Sequence, residues 1–229
     1  MPPRRTALIE SIKSGETREL LASGADAVID VMSDSDIAGS IPFVGSVLKT
    51  YQAAQDIRDR MLIKKLAKFL EHPSQMSEKE KQKLSSEFEN TEKEEGFGEQ
   101  MLVLIEQSED TEKPKIIGRL LVAHAKDHFD LTTFMRLCKM VNRAFVEDFG
   151  YLEKFNGNSH QRKNPDVEQS LHSAGFLRLK ASNSTVFIEG LPANTNEGYE
   201  ITQYGRWLVD LGLSEGPIPP PETPNTLFS

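Results

Sequence analysis

The stretch "KIIGRLLVAHAKDHFDLTTFMRLCKMVNRAFVEDFGYLEKF", residues 115–155, decides the fold class. Ile116, Ile117, Leu120 and Leu121 recur at the three- and four-residue steps of a helical stripe. Beyond "DHFD", Phe134, Leu137, Cys138, Val141, Phe145, Phe149 and Leu152 form a second stripe, with Arg136, Lys139 and Arg143 on the opposite side. Asp130 stands at an N-cap position, where its carboxylate accepts from the free N–H groups of a first turn. Each stripe needs an apolar neighbour to leave water, so the pair predicts adjacent helices of a bundle.

The same pattern runs toward the N-terminus. "RRTALIESIKS" and "TRELLASGADAVIDVM" are short amphipathic helices, the second interrupted by Gly24. From Pro42 to about Leu70, apolar residues at helical steps predict one long helix or two abutting ones. Its approach, "IAGSIPFVGSVLK" (37–49), is too short to span a bilayer, and Gly39, Gly45 and Ser46 would let another helix come close. Pro73 ends that run, and Ser77 with Glu80 forms a capping box that opens the next helix. Gly96 and Gly98 predict a break before "MLVLIEQ".

Composition changes after Phe155. "NGNSHQRKN" begins a polar linker (156–163), and "NPDVEQSLHSAGF" reads as a helix capped by Asn164, with Pro165 in its first turn and Gly175 as its stop. "FLRLK", "TVFIEG" and "YEITQ" are β-rich, "LPANTNEG" is a long turn, and "YGRWLVDLGL" is a closing helix. "SEGPIPPPETPNTLFS" (214–229) is proline-rich and expected to be disordered, with "PIPPPETP" of polyproline-ligand type. Residues 164–213 resemble the C-terminal part of a winged-helix domain, with Ile201, Thr202, Gly205 and Arg206 carrying most of the likeness. The resemblance implies a small α+β module, and in that family such a module commonly binds DNA through the helix before the first strand. Here that helix carries Asp166 and Glu168 and no Lys or Arg, and residues 157–213 hold five basic and six acidic side chains. Phosphate affinity needs cations, so protein contact fits better than DNA.

Whole-chain composition sets further bounds. In 229 residues, 38% are hydrophobic and 27% charged, which suits a globular chain with polar segments, and the formal charge of −8 disfavours a general nucleic-acid binder. A single cysteine, Cys138, excludes an internal disulfide and suits a reducing, cytoplasmic compartment. "MPPRRTALIESIKSGE" has no apolar run of signal-peptide length, and no run reaches the 18 or so apolar residues of a spanning helix. Residues 37–70 carry six basic side chains against Asp56 and Asp59, a balance of +4; residues 71–130 carry eight basic and fifteen acidic, a balance of −7. Such adjacent blocks favour charge pairing within or between chains.

Motifs that could carry chemistry are weak. His124 and His128 share a helix face near Asp127 and Asp130 and make a metal candidate with Cys138, but Ala125 stands where a zincin needs glutamate. Asp34 and Asp36 read as caps, the glycines at 39, 45, 96 and 98 lack a following Gly-Lys-Ser/Thr, and no Gly-x-Ser-x-Gly occurs. The expectation is a mainly α chain without catalytic, cofactor or small-molecule chemistry: a helical bundle (1–155), a winged-helix-like module (164–213) and a disordered tail. It would act as a regulatory, adaptor or sensor protein through protein contacts or homo-oligomerisation. The expected contact residues are Arg58, Arg60, Lys64, Lys65 and Lys68 on the basic face, with Arg178, Lys180, Asn194 and Asn196 around the wing. The alternatives are a membrane-associated effector using 37–70 and a DNA-binding regulator.

Overall fold

The structure is a computed structural model that describes residues 7–22, 57–88, 91–156, 164–180, 187–188, 191–192 and 198–221. The stretch 37–49, the caps Asp34 and Asp36, the linker from 157 to 163, and the wing residues Asn194 and Asn196 lie outside these. The chain is mainly α, as the stripes require. Among the described residues, no helix is long and apolar enough to cross a membrane. Residues cluster into two compact units, 1–138 with 216–229, and 139–215. The sequence boundary near 155 falls inside the second.

The first unit contains α1 (Ala7–Lys13), α2 (Gly15–Ala22), α3 (Ile57–Leu70), α4 (Glu78–Ser86), α5 (Thr91–Gln107), α6 (Glu112–Ala125) and the start of α7 (Leu131–Arg143). Its centre is the crossing of α3 and α6. To it α3 brings Leu66, Phe69 and Leu70 and α6 brings Ile117, Leu120 and Leu121, all fully buried, and Gly118 lets the α6 backbone lie against the Phe69 carbonyl. α1 packs on α4 and α5 through Leu8, Ile9 and Ile12. Phe88, Phe97 and Phe134 form a row with ring centroids 5.1 and 6.3 Å apart.

Local chemistry sets the helix ends. Ser77 Oγ accepts from the Glu80 N–H, while the Glu80 carboxylate accepts from the Ser77 N–H at 2.7 Å, completing the capping box. Asp130 Oδ1 accepts from the Thr133 N–H at 2.7 Å. Asp110, which the motif reading passed over, caps α6 by accepting from the N–H groups of Glu112 and Lys113 at 2.8 and 2.9 Å. α6 ends on Asp127 in the left-handed region (φ 73°), and the His128 N–H reaches back to the Ala123 carbonyl.

Two expectations are corrected here. α5 continues through Gly96 and Gly98 without a break. Packing of Gly98 against Leu8 and burial of Phe97, Met101 and Ile105 outweigh the propensity cost of about 1 kcal/mol per glycine. Phe145 is not a core residue but 59% exposed, because α7 stops at Arg143 and α8 (Val146–Asn156) starts a new axis, which takes position 145 off the stripe.

The second unit holds the end of α7, α8, α9 (Pro165–Ala174), β1 (Leu177–Leu179), β2 (Phe187–Ile188), β3 (Leu191–Pro192), β4 (Tyr199–Ile201) and α10 (Gln203–Trp207), which continues as a π-helical segment, Leu208–Leu213. β1 pairs antiparallel with β4 in the register Leu177–Ile201, and β2 pairs with β3 as a separate short hairpin. Asn164 Oδ1 caps α9, and Gly175 (φ 95°) ends it in a conformation that an L side chain resists. Phe149 and Phe176 pack edge to face, 6.0 Å apart.

Candidate functional site

The basic face of α3 is built by the pattern that builds the core. Leu62, Ile63, Leu66, Ala67, Phe69 and Leu70 turn inward, which commits the apolar side of 57–70 to the bundle and sends Arg58, Arg60 and Lys64 outward into solvent. Arg58 donates to Glu106 on α5 at 2.9 Å, an exposed pair between oppositely charged blocks of the chain. Lys65 does not share that surface. It is buried, and its ammonium donates to the carbonyls of Glu106 (3.2 Å) and Ser108 at the C-terminal end of α5. A cation there satisfies carbonyls that the helix leaves open and meets the negative end of its dipole. Burial lowers the Lys65 pKa, and the Asp110 and Glu106 carboxylates oppose that shift. Lys68 is half-buried.

The two metal candidates are engaged elsewhere. His124 is buried and stacked on Phe134; its Nδ1 lies 2.8 Å from the Phe129 carbonyl and its Nε2 2.7 Å from a Glu87 carboxylate oxygen. Both partners are natural acceptors. A carbonyl oxygen only accepts, so Nδ1 donates to Phe129, and Nε2 is left to face Glu87. His128 Nε2 lies 2.8 Å from the Pro219 carbonyl and so acts as a donor. Among the described residues, no group of three or more His, Cys, Asp or Glu side chains could hold a metal. Cys138 is fully buried.

In the second unit, Arg178 faces Glu200 across the β1–β4 pair at 2.6 Å, and Lys180 is exposed. On α9, Asp166 is exposed, whereas Glu168 is buried and accepts from the Tyr151 hydroxyl at 3.0 Å. The residues behind the winged-helix likeness form a knot. Thr202 caps α10 by accepting from the Gly205 N–H at 3.1 Å, its hydroxyl lies 3.0 Å from both the Gly175 and Phe176 carbonyls, and its own N–H donates to Phe176 at 2.9 Å. Arg206 donates to the Ile201 carbonyl, and a Cβ on Gly205 would meet the Phe176 oxygen at 2.6 Å.

One cluster escaped the sequence reading. Arg119, Lys126 and His128 donate to the carbonyls of Gly216 (2.9 Å), Ile218 (2.7 Å) and Pro219 (2.8 Å) in the proline-rich stretch, and Ile218 is buried to 7% exposure. That stretch was expected to be disordered from its first residue. Residues 216–221 are instead docked on the first unit, and 222–229 lie outside the described residues. The partners here are main-chain oxygens, which leave no trace in side-chain spacing. The usable signal would have been the isolated Ile218 among prolines.

No known protein family, characterised protein or solved structure matches the chain.

Proposed function

We propose that this chain is a non-enzymatic regulatory or adaptor protein that works through protein–protein contacts, self-association among them, in a reducing cytoplasmic setting. The observation that carries the reading is how its reactive side chains are used. His124, Cys138, Asp110, Asp130 and Lys65 are spent on core, caps and helix ends, whereas Arg58, Arg60 and Lys64 stand in solvent beside acidic α5. A solvated cationic strip next to an acidic block is self-complementary in charge and suits pairing between copies. The second module is read as winged-helix-like, from its order of helix, strand, short hairpin, strand and closing helix. The Arg178–Glu200 pair and the exposed Asp166 of α9 favour a protein over a nucleic-acid partner for it.

Light scattering across a concentration series tests this. The intact chain is expected to gain mass with concentration, and charge reversal (Arg58→Glu, Arg60→Glu, Lys64→Glu together) to abolish the gain. A monomer mass that ignores concentration ends the self-association reading.

A further inference from the structure

We propose that the cradle of Arg119, Lys126 and His128 is a recognition site for an Ile-Pro-Pro peptide segment, and that a second copy of this chain supplies that segment by exchanging its Gly216–Pro221 stretch. Three observations carry this. The cradle offers donors: a guanidinium, an ammonium and a ring N–H, each on a main-chain carbonyl at 2.7 to 2.9 Å. The three carbonyls belong to the peptide bonds Gly216–Pro217, Ile218–Pro219 and Pro219–Pro220, units that carry no N–H of their own. A ligand that presents acceptors without neighbouring donors therefore matches a site that presents donors, and proline supplies that ligand. The single apolar anchor is Ile218; Pro217, Pro219 and Pro220 remain exposed. The segment is thus held through its main chain and one apolar side chain, both of which a second copy presents in the same form.

Every copy carries both cradle and segment, so each contact made within one chain can be made between two without any new surface. The proposal deepens the self-association reading and is tested apart from it. The probe is a fluorescein-labelled peptide of residues 214–221, "SEGPIPPP", titrated against full-length chains. A chain carrying Ile218→Asp, its own segment displaced, is expected to bind the peptide at least tenfold more tightly than the intact chain. Adding Lys126→Ala to that chain should weaken binding at least tenfold, as should replacing the peptide residues Pro219 and Pro220 by alanine. Photo-cross-linking of the intact chain with p-benzoylphenylalanine at the exposed position 220, in a mixture of ¹⁴N- and ¹⁵N-labelled copies, identifies the occupant without displacing the segment. Cross-links that join light and heavy chains within residues 119–128 support exchange. Absent peptide binding to an Ile218→Asp chain of native circular dichroism, or cross-links confined to single copies, overturns the proposal. Reversing the α3 charges should leave peptide binding unchanged, which separates failure of this site from failure of the basic face.

Discussion

Gly118 and Phe69 lie so close that a Cβ at position 118 would overlap the Phe69 carbonyl oxygen and stand 3.4 Å from Pro73 Cδ. The obstacle is backbone of α3 and cannot rotate aside. Gly118→Ala is expected to lower stability by at least about 2 kcal/mol, although alanine is the better helix former. Urea unfolding followed by circular dichroism measures this. A neutral or stabilising alanine would mean that α3 and α6 do not cross at this point.

The His124–Glu87 pair separates hydrogen bonding from charge. Glu87→Gln keeps a hydrogen-bonding group facing Nε2 and should cost little. Glu87→Leu leaves that nitrogen buried and unmatched, a loss of about 1–3 kcal/mol. The order of the two variants in a urea series is the test, and equal losses would refute the accounting.

His72 sets a pH dependence. Its Nε2 is buried without a hydrogen-bond partner among the described residues. Burial, with Arg119 and Lys115 nearby, pushes its pKa from 6.5 down to about 4. Between these values the unfolded chain binds a proton that the folded chain refuses, so stability falls as pH drops from about 6.5 to about 4. The contribution is on the order of 1–2 kcal/mol once discounted for the half-exposed ring. Urea midpoints at pH 7 and 4.5 should draw together in His72→Phe relative to the unmodified chain. An unchanged gap would place the dependence elsewhere.

Thr202 joins β1, β4 and α10 through one hydroxyl and one N–H. Thr202→Ala should cost about 1–2 kcal/mol, and Thr202→Ser should recover most of it. Thermal melts read by near-ultraviolet circular dichroism report on this, because Trp207 lies on α10 and Tyr199 on β4. A serine variant as weak as alanine would assign the loss to the methyl group instead.

What could be read from the amino acids was whatever periodicity and capping encode. Ile116, Ile117, Leu120, Leu121, Phe134, Leu137, Cys138 and Val141 are all buried, and the caps at Ser77, Asp130 and Asn164 stand where their side chains suggested. Three-dimensional context decided the rest. Lys65 looks like another solvent-facing cation until the end of α5 is placed beside it. Phe145 belongs to a stripe that holds only while α7 and α8 share an axis. The cradle on α6 stayed invisible because its ligand is backbone, and a helical wheel records side chains alone.

The chain leaves the first unit at Cys138 and returns to it at Gly216. Synthesis proceeds from the N-terminus, so α6 is complete long before the oxygens that Arg119, Lys126 and His128 hold have been made. All of residues 139–215 must leave the ribosome first. A nascent chain therefore carries this cradle open through that whole interval, and on a polysome the first Gly216–Pro221 segment to reach it can come from the older chain ahead.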